Sequence, residues 1–183
     1  MNVENGGYFT NWYKVIIKSC DGGSFLGNAD PIVFKRQKMY FRGSQNVKEA
    51  VNYLNKINFL KNREEVVMVG SFNSGVAALQ WSDYFKSQTQ GSFRVIADAT
   101  VFLNSLNYEN NQTVIEDRMR QIQQFTLEST DLPNQACAQA NKPDLWKCFF
   151  ADELIKHINH PVYFLQSLYD GFGIAEVLGF KCA

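Results

Sequence analysis

A short stretch near the middle of the chain has residue types and spacing that could carry nucleophilic chemistry. Residues 65–78 read as a buried strand, a sharp turn and the start of a helix. In a nucleophile elbow this turn has the pattern Gly-x-Ser-x-Gly, with the reactive serine at its centre. Here the turn contains, in order, Gly70, Ser71, Phe72, Asn73, Ser74 and Gly75. A phenyl ring cannot attack a carbonyl carbon, so the sequence predicts an elbow whose central position, Phe72, has no nucleophile.

Two neighbouring serines are the alternative nucleophiles. Ser71 at the centre of the turn would be flanked by Val69 and Asn73, and Ser74 would be flanked by two bulky residues, Phe72 among them. The tight turn needs glycine or similarly small flanking residues. We therefore expect neither serine to act in place of the missing nucleophile.

The turn also has a conformational cost. A nucleophile at an elbow holds a backbone with positive φ, which costs a bulky residue roughly 1–2 kcal/mol. Without catalysis nothing requires that strain. We expect Asn73, which tolerates positive φ, to adopt the strained conformation, or the turn to relax. Phe72 would then fill the former site with apolar surface.

The candidate acids and bases are few. Asp98 and Asp170 follow strands, where an aspartate is more often a turn former or helix cap than a catalytic acid. The two histidines are His157 and His160. Ten residues at about 3.3 Å each place His160 roughly 30 Å from Asp170, whereas a base must lie within about 3 Å of its proton donor. His-x-x-His without accompanying cysteines or carboxylates predicts surface histidines near a helix end and no metal site.

The elements that must position these residues alternate along the chain. Apolar runs of strand length cover residues 12–20, 65–70, 93–97 and 161–168. Helical spacing of apolar residues covers 43–57, 76–85, 115–125 and 145–158. This alternation predicts one α/β domain, residues 1–183, with a mostly parallel sheet covered by helices on both faces.

Composition excludes several classes of protein. The 183 residues are 45% hydrophobic and 14% aromatic, with 18 basic and 18 acidic residues and no net charge. A neutral chain without charge blocks is a poor partner for nucleic acid or an anionic membrane. We expect no transmembrane segment, and residues 1–7 do not have the pattern of a signal peptide.

Five segments in order resemble the pectin acetylesterase and Notum carboxylesterase family. They are NWYKV at 11–15 with CDGGSF at 20–25, YFRG at 40–43, RVIADATVFLN at 94–104, WKCFF at 146–150 and PVYFLQSLYD at 161–170. Two positions depart from the family pattern: Thr100 replaces a glycine and Asn104 an aspartate.

The resemblance implies an α/β-hydrolase-like three-layer sandwich with a Ser-His-Asp triad that cleaves carboxylic esters. Asp170 matches the triad acid, and Phe72 occupies the nucleophile position. The family's histidine follows the acid at a distance that this chain does not reach, and its glycine-rich oxyanion loop precedes residue 11. We therefore expect a fold without the family's N-terminal strands and C-terminal histidine segment, in which Asp170 is a vestigial acid.

The chain has four cysteines: Cys20, Cys137, Cys148 and Cys182. Spacing alone leaves three pairings and buried free thiols open. The family resemblance implies a Cys137–Cys148 disulfide. Asn111-Gln112-Thr113 is an N-glycosylation sequon. Together these features favour a secreted, extracellular or secretory-lumen protein.

These observations lead to an expected function. We expect a catalytically inactive domain that acts in binding or as a structural subunit, without a cofactor. The alternative is an active polysaccharide deacetylase or acyl esterase with an unconventional nucleophile and parts from another chain. The expected partner is another polypeptide covering the incomplete sheet, whose edge would lie beside residues 1–8. A carbohydrate or acyl ligand is the other expectation.

Overall fold

The structure is a computed structural model that describes residues 7–127 and 132–180. Its strands are β1 (Ile32–Phe34), β2 (Gln37–Met39), β3 (Glu65–Ser71), β4 (Ser92–Asp98) and β5 (Val162–Leu165). Its α-helices are α1 (Gly43–Lys56), α2 (Asn73–Ser87), α3 (Val114–Thr126), α4 (Gln135–Asn141) and α5 (Ala151–Leu154). Cys182 and most of the predicted edge segment, residues 1–6, lie outside the described residues.

The functional part of the fold is a parallel sheet in the order β3-β4-β5. Alternate residues of a strand point to opposite faces, and on β4 the buried set is Phe93, Val95 and Ala97. These residues belong to the same core as helix α2, which packs on β3 and β4. The parallel sheet with flanking helices is the arrangement that the sequence predicts. The predicted cover on the second face is not seen in the described residues.

The opposite face of the sheet has a different character. Val69 of β3 and Tyr163 of β5 pair with the same residue of β4, Ile96, and therefore share a face. Val69 is 64% exposed and Tyr163 62% exposed. Leu165, two residues further along β5, is also exposed. The described residues thus leave apolar side chains accessible on this face, where a third layer of a sandwich would lie.

The predicted strand at residues 12–20 is not a strand in the structure. A strand needs a partner for its backbone hydrogen bonds, and no described segment pairs with these residues. Side-chain contacts hold the segment instead. The Tyr13 ring lies 5.9 Å from the Phe59 ring, and the Arg63 guanidinium lies over both rings.

The predicted strand 161–168 is shorter, at Val162–Leu165, and the predicted helix 145–158 is broken into three pieces. A 3₁₀ turn at Leu145–Phe149 is followed by the short helix α5 and a second 3₁₀ turn at Ile155–His157. Between the first two, Phe150 is extended, with φ −90° and ψ 133°. Nearly all side chains from 145 to 151 are buried. One regular helix would turn some of them to solvent, so a change of backbone direction is needed.

A disulfide joins α4 to the 3₁₀ turn at Leu145–Phe149, and a buried glutamine fixes this region to helix α2. Cys137 and Cys148 form the disulfide that the resemblance implies. Gln80 of α2 donates to the carbonyl of Cys148 (2.7 Å) and accepts from the amide of Asn134 (3.2 Å). The Asn134 side chain accepts from the amide of Cys137 at the start of α4 (2.9 Å). Cys20 is a free, exposed thiol.

Candidate functional site

The predicted elbow lies between β3 and α2, at the carboxyl end of the parallel sheet. β3 ends at Ser71 and α2 begins at Asn73, so Phe72 alone makes the turn. Its backbone has φ 54° and ψ −124°, and its amide donates to the carbonyl of Asp98 (2.8 Å). The expectation that Asn73 takes the strain or the turn relaxes is therefore wrong, because Phe72 itself adopts the strained conformation.

Close packing explains why the turn keeps this shape without a nucleophile. A Cβ added to Gly70 would collide with the carbonyl of Ser74, and one added to Gly75 would collide with the Thr100 side chain. Strand and helix thus meet at their backbones, which glycine alone permits. The buried Thr100 hydroxyl donates to the carbonyl of Asp98 (2.9 Å). These contacts surround the turn and do not depend on the side chain at position 72.

The Phe72 side chain packs into an aromatic cluster, defined as Phe72, Phe102 and Phe172. The ring of Phe72 lies edge-on at 5.1 Å from both of the other rings. Phe72 nevertheless remains 39% exposed, whereas Phe102 is 7% exposed. An apolar ring in an edge-on cluster therefore occupies the central position of the elbow.

Asp170 is engaged as a cap. Its carboxylate accepts hydrogen bonds from the amides of Phe172 (3.3 Å) and Gly173 (3.1 Å), and its carbonyl accepts from the amide of Ile174 (2.9 Å). These bonds begin the single helical turn that contains Gly173–Val177. The structure gives this carboxylate the capping role that a strand-end aspartate commonly has.

The two serines differ in their surroundings. Ser71 and Ser74 are both exposed. The Ser71 hydroxyl donates to the Asp98 carboxylate (3.1 Å). Ser74 lies in the first turn of α2, with its carbonyl against Gly70. A serine acts as a nucleophile when an adjacent base is itself oriented by a third group, and Asp98 is the partner that the structure provides for Ser71.

The histidines lie at the other end of the sheet. His160 packs edge-on against Phe93 (5.1 Å), near the start of β4, whereas the elbow adjoins Asp98 at its end. The five residue-to-residue steps from Phe93 to Asp98 span roughly 16 Å along the strand. This separation places His160 beyond the roughly 3 Å within which a base must lie of a nucleophile at the elbow.

The expectation of surface histidines is also wrong. The His160 side chain is 4% exposed, with Nε2 3.5 Å from the Asp83 carboxylate. His157 Nε2 lies 3.3 Å from Glu153. A hydrogen bond from Lys156, with a second from Asn141, lowers the pKa of Glu153 to about 2. Within residues 7–127 and 132–180, no group of three or more metal-ligating side chains comes together.

The described residues give the elbow the backbone of a nucleophile turn but place no serine at its centre. The backbone of the turn and the flanking glycines have the geometry that presents a nucleophile at a strand-to-helix junction. The amide of Asn73 is among the first of α2 and has no acceptor within the helix. What the described residues place at the centre is a phenylalanine, with a capping aspartate and no histidine nearby.

A parallel sheet with a strained strand-to-helix elbow at its carboxyl end is the core of an α/β-hydrolase-like scaffold. The Pectinacetylesterase family model matches residues 2–183. The chain therefore belongs to the pectin acetylesterase family.

Curated relatives agree with this assignment. The chain is 27% identical over 173 residues to pectin acetylesterase 5 of Arabidopsis thaliana, covering 93% of this chain and 39% of the relative. It is 25% identical over 174 residues to palmitoleoyl-protein carboxylesterase Notum of Schmidtea mediterranea, covering 88% of this chain and 32% of the relative. The chain thus spans about two fifths or less of these relatives' length.

Solved structures show the same fold. The crystal structure of the Wnt deacylase Notum from Drosophila superposes with a TM-score of 0.68 at 18% identity, covering 83% of this chain and 45% of that chain. This similarity confirms the α/β-hydrolase-like fold. Among the described residues, no helix has the length and apolar character of a membrane span.

Several site residues were not predicted. Phe102 and Phe172 carry no local signal, because their meeting with Phe72 depends on three distant segments. Ala99 has φ 48°, and its amide donates to the carbonyl of Leu165 (2.7 Å). Thr100 was visible as a departure from the family pattern, and its packing on Gly75 gives that departure a structural role.

Proposed function

We propose that this chain is a catalytically inactive domain of the pectin acetylesterase family that acts in binding or as a structural subunit. The observation that carries the proposal is Phe72 at the centre of the elbow, with its ring packed against Phe102 and Phe172. Removing a triad nucleophile leaves only residual binding and oxyanion effects.

The surroundings of the elbow support inactivity independently of Phe72. The Asp170 carboxylate holds two backbone amides instead of an imidazole. His160 and His157 are near Asp83 and Glu153, at the far end of the strands. A residue that replaced Phe72 would therefore find no histidine base within hydrogen-bond reach in the described residues.

The second candidate is an active ester hydrolase with an unconventional nucleophile. The hydrogen bond from Ser71 to Asp98, next to an elbow that keeps its strained backbone, is the observation in its favour. Against it, Ser71 is the last residue of β3 and not the turn residue. The triad logic also needs a base oriented by a third group. Remaining parts of an active site would have to come from polypeptide outside this chain.

An acetyl-ester turnover assay tests the choice between the two candidates. The native protein should release no acetate above the rate of a heat-denatured sample, with an active pectin acetylesterase as the positive control. Turnover above that background, abolished by Ser71→Ala and unchanged by Ser87→Ala, would favour the second candidate. Ser87 is a suitable control because its exposed hydroxyl bonds only to a carbonyl and a glutamine in its own neighbourhood.

We further propose that other polypeptide covers the exposed face of the sheet. The exposed face carries the apolar side chains of Val69, Tyr163 and Leu165. These residues belong to β3 and β5, the two edge strands of the sheet. Isolated domains avoid this combination of unpaired edges and exposed apolar residues. The neutral charge of the chain suits an apolar or mixed contact with that polypeptide. We also propose a carbohydrate or acyl group as a ligand of the elbow.

Light scattering of the purified chain at several concentrations tests this association. We expect the purified chain to form oligomers whose mass rises with concentration, or to copurify with another polypeptide. The double variant Tyr163→Lys, Val69→Lys should have the mass of a monomer. The matched control, Tyr53→Lys, changes an equally exposed tyrosine on helix α1 (63% exposed). A parent chain that is monomeric at all concentrations and unfolds cooperatively would contradict the proposal.

The proposed compartment is the secretory pathway or the extracellular space. The buried Cys137–Cys148 disulfide supports it, because disulfides persist in oxidising compartments and are rare in the cytosol.

A further inference from the structure

The loop before helix α3 contains three asparagines that differ in how their side chains are used. Asn107 Oδ1 accepts hydrogen bonds from the amides of Glu109 (3.0 Å) and Asn110 (3.3 Å). Asn110 Oδ1 accepts from the amide of Gln112 (3.0 Å). Asn111 is exposed, and its side-chain amide bonds to none of the described residues. Two asparagines therefore build the turn, and the third projects its amide to solvent.

The loop presents Asn111 in a fixed backbone conformation. Asn111 has φ 55° and donates its amide to the carbonyl of Asn107 (2.8 Å). The loop is tied to the far end of the chain, because the amide of Tyr108 donates to Leu178 and the Tyr108 ring stacks on Phe180 (5.3 Å). Positive φ is tolerated by asparagine, so the projection of Asn111 outward costs little.

Thr113 completes the local pattern. It is the residue before α3, yet its hydroxyl makes no capping bond to the helix. The free hydroxyl and the free amide are two residues apart in Asn111-Gln112-Thr113. Asparagine-linked glycosylation needs this pair in an accessible segment.

We propose that Asn111 is an N-glycosylation site. The co-substrate is an oligosaccharide linked to a polyprenyl pyrophosphate. The Asn111 Nδ2 nitrogen forms a bond to C1 of the first sugar while the bond from C1 to the pyrophosphate oxygen breaks. One amide proton is lost, and the polyprenyl pyrophosphate leaves with the electron pair of the broken bond. No oxidant or reductant is needed.

This modification has a consequence for assembly. A glycan is bulky and hydrated, so the surface formed by residues 107–113 and the start of α3 stays in solvent when the protein binds a partner. The proposed contact through Val69 and Tyr163 involves different segments, β3 and β5. A glycan on Asn111 is therefore compatible with a partner bound at Val69 and Tyr163 and excludes a partner bound over residues 107–113. Glycosylation itself rests on the proposed secretory compartment.

Expression of the full chain with an added secretion leader in a eukaryotic host tests the site. Because the leader supplies entry to the secretory pathway, the result does not depend on catalytic inactivity or on the natural compartment. Peptide N-glycosidase should remove one glycan and convert Asn111 to aspartate, which mass spectrometry detects in the tryptic peptide 95–118. Whole-cell extract is analysed together with the medium, so variants that are poorly secreted are still scored.

Two pairs of variants make the test specific. Asn111→Gln and Thr113→Val should lose the glycan, whereas Asn110→Gln and Thr113→Ser should retain it. Thr113→Val keeps the shape of the side chain and removes the hydroxyl. The proposal is overturned if the parent chain carries an unmodified Asn111, or if the glycan persists in Thr113→Val.

Discussion

The strained backbone of Phe72 can be measured by comparing glycine with alanine at this position. Both Phe72→Gly and Phe72→Ala remove the ring from the aromatic cluster. Glycine alone also removes the Cβ that makes φ 54° unfavourable. The difference in unfolding free energy between the two variants therefore measures the backbone strain. The loss that both share relative to the parent measures the contribution of the ring.

The magnitudes follow from exposure and backbone geometry. Truncating a buried phenylalanine costs about 3–5 kcal/mol. Phe72 is 39% exposed, so we expect a loss of roughly 2 kcal/mol common to both variants. In the glycine variant, release of the strain raises the free energy of unfolding by about 1–3 kcal/mol relative to alanine. The larger entropy of glycine in the unfolded chain lowers it by about 0.4–1 kcal/mol. Phe72→Gly should be the more stable variant by about 1 kcal/mol.

Leu168 provides the matched control. It is 95% exposed and its φ is not positive. There, the glycine variant should be less stable than the alanine variant by about 0.4–1 kcal/mol, so the order of the two variants is reversed between the sites. Urea unfolding followed by tryptophan fluorescence gives the free energies. A difference of about 1 kcal/mol also shifts the Tm by about 2–4 °C for a chain of this size.

The outcome that would refute this reasoning is specific. If glycine is less stable than alanine at position 72 by the same margin as at position 168, the backbone is not held at positive φ. The elbow would then have relaxed once the nucleophile was lost, and the packing of Gly70 and Gly75 would not determine its shape.

Three further predictions concern the site and its support. Phe72→Ser should not give acetyl-ester turnover above the parent, because no histidine lies within reach of the elbow in the described residues; measurable turnover would show a base elsewhere. A non-reduced tryptic digest should link peptides 121–147 and 148–156 through Cys137 and Cys148, and Cys148→Ser should lower the unfolding free energy by about 3 kcal/mol, the cost for a loop of this length. Free thiols at both positions would contradict it. The lowered pKa of Glu153, about 2 against an ordinary 4.5, means that its charged form stabilises the fold above pH 4.5 and that this contribution is lost as the pH falls towards 2. Glu153→Gln should lower the free energy of unfolding by at most about 1 kcal/mol at pH 7, since Lys156 is largely exposed. The unfolding free energies of parent and variant should converge at low pH. A difference that grows on acidification would be inconsistent with this sign.

The sequence predicts the central part of the fold well. Glu65–Ser71 and Ser92–Asp98 are short apolar runs bounded by glycine and polar residues, so their strand character is visible locally. The prediction of a strand at residues 12–20 is wrong because a strand depends on a hydrogen-bonded partner, which the local sequence does not reveal. The prediction of one helix at 145–158 is wrong because nearly all side chains from 145 to 151 are buried, so the helical period there does not indicate which side faces solvent.

The site shows a similar division. The spacing of Gly70 and Gly75 places Phe72 at the turn, and that placement agrees with the structure. The conformation of Phe72 depends on contacts of Gly70 with Ser74 and of Gly75 with Thr100, which are tertiary. Propensity favours Asn73 for positive φ, but packing between strand and helix determines which residue takes it.

Covalent labelling with a fluorophosphonate probe is the most direct test of the central claim that the elbow has no nucleophile. Such a probe reacts with an activated serine and leaves a stable phosphonate ester on it. After labelling of the native protein, tryptic peptide 64–86, which contains Ser71 and Ser74, should be recovered unmodified. An active pectin acetylesterase treated in parallel should be labelled at its elbow serine. Labelling of Ser71 or Ser74 that is lost on denaturation before treatment would contradict the account.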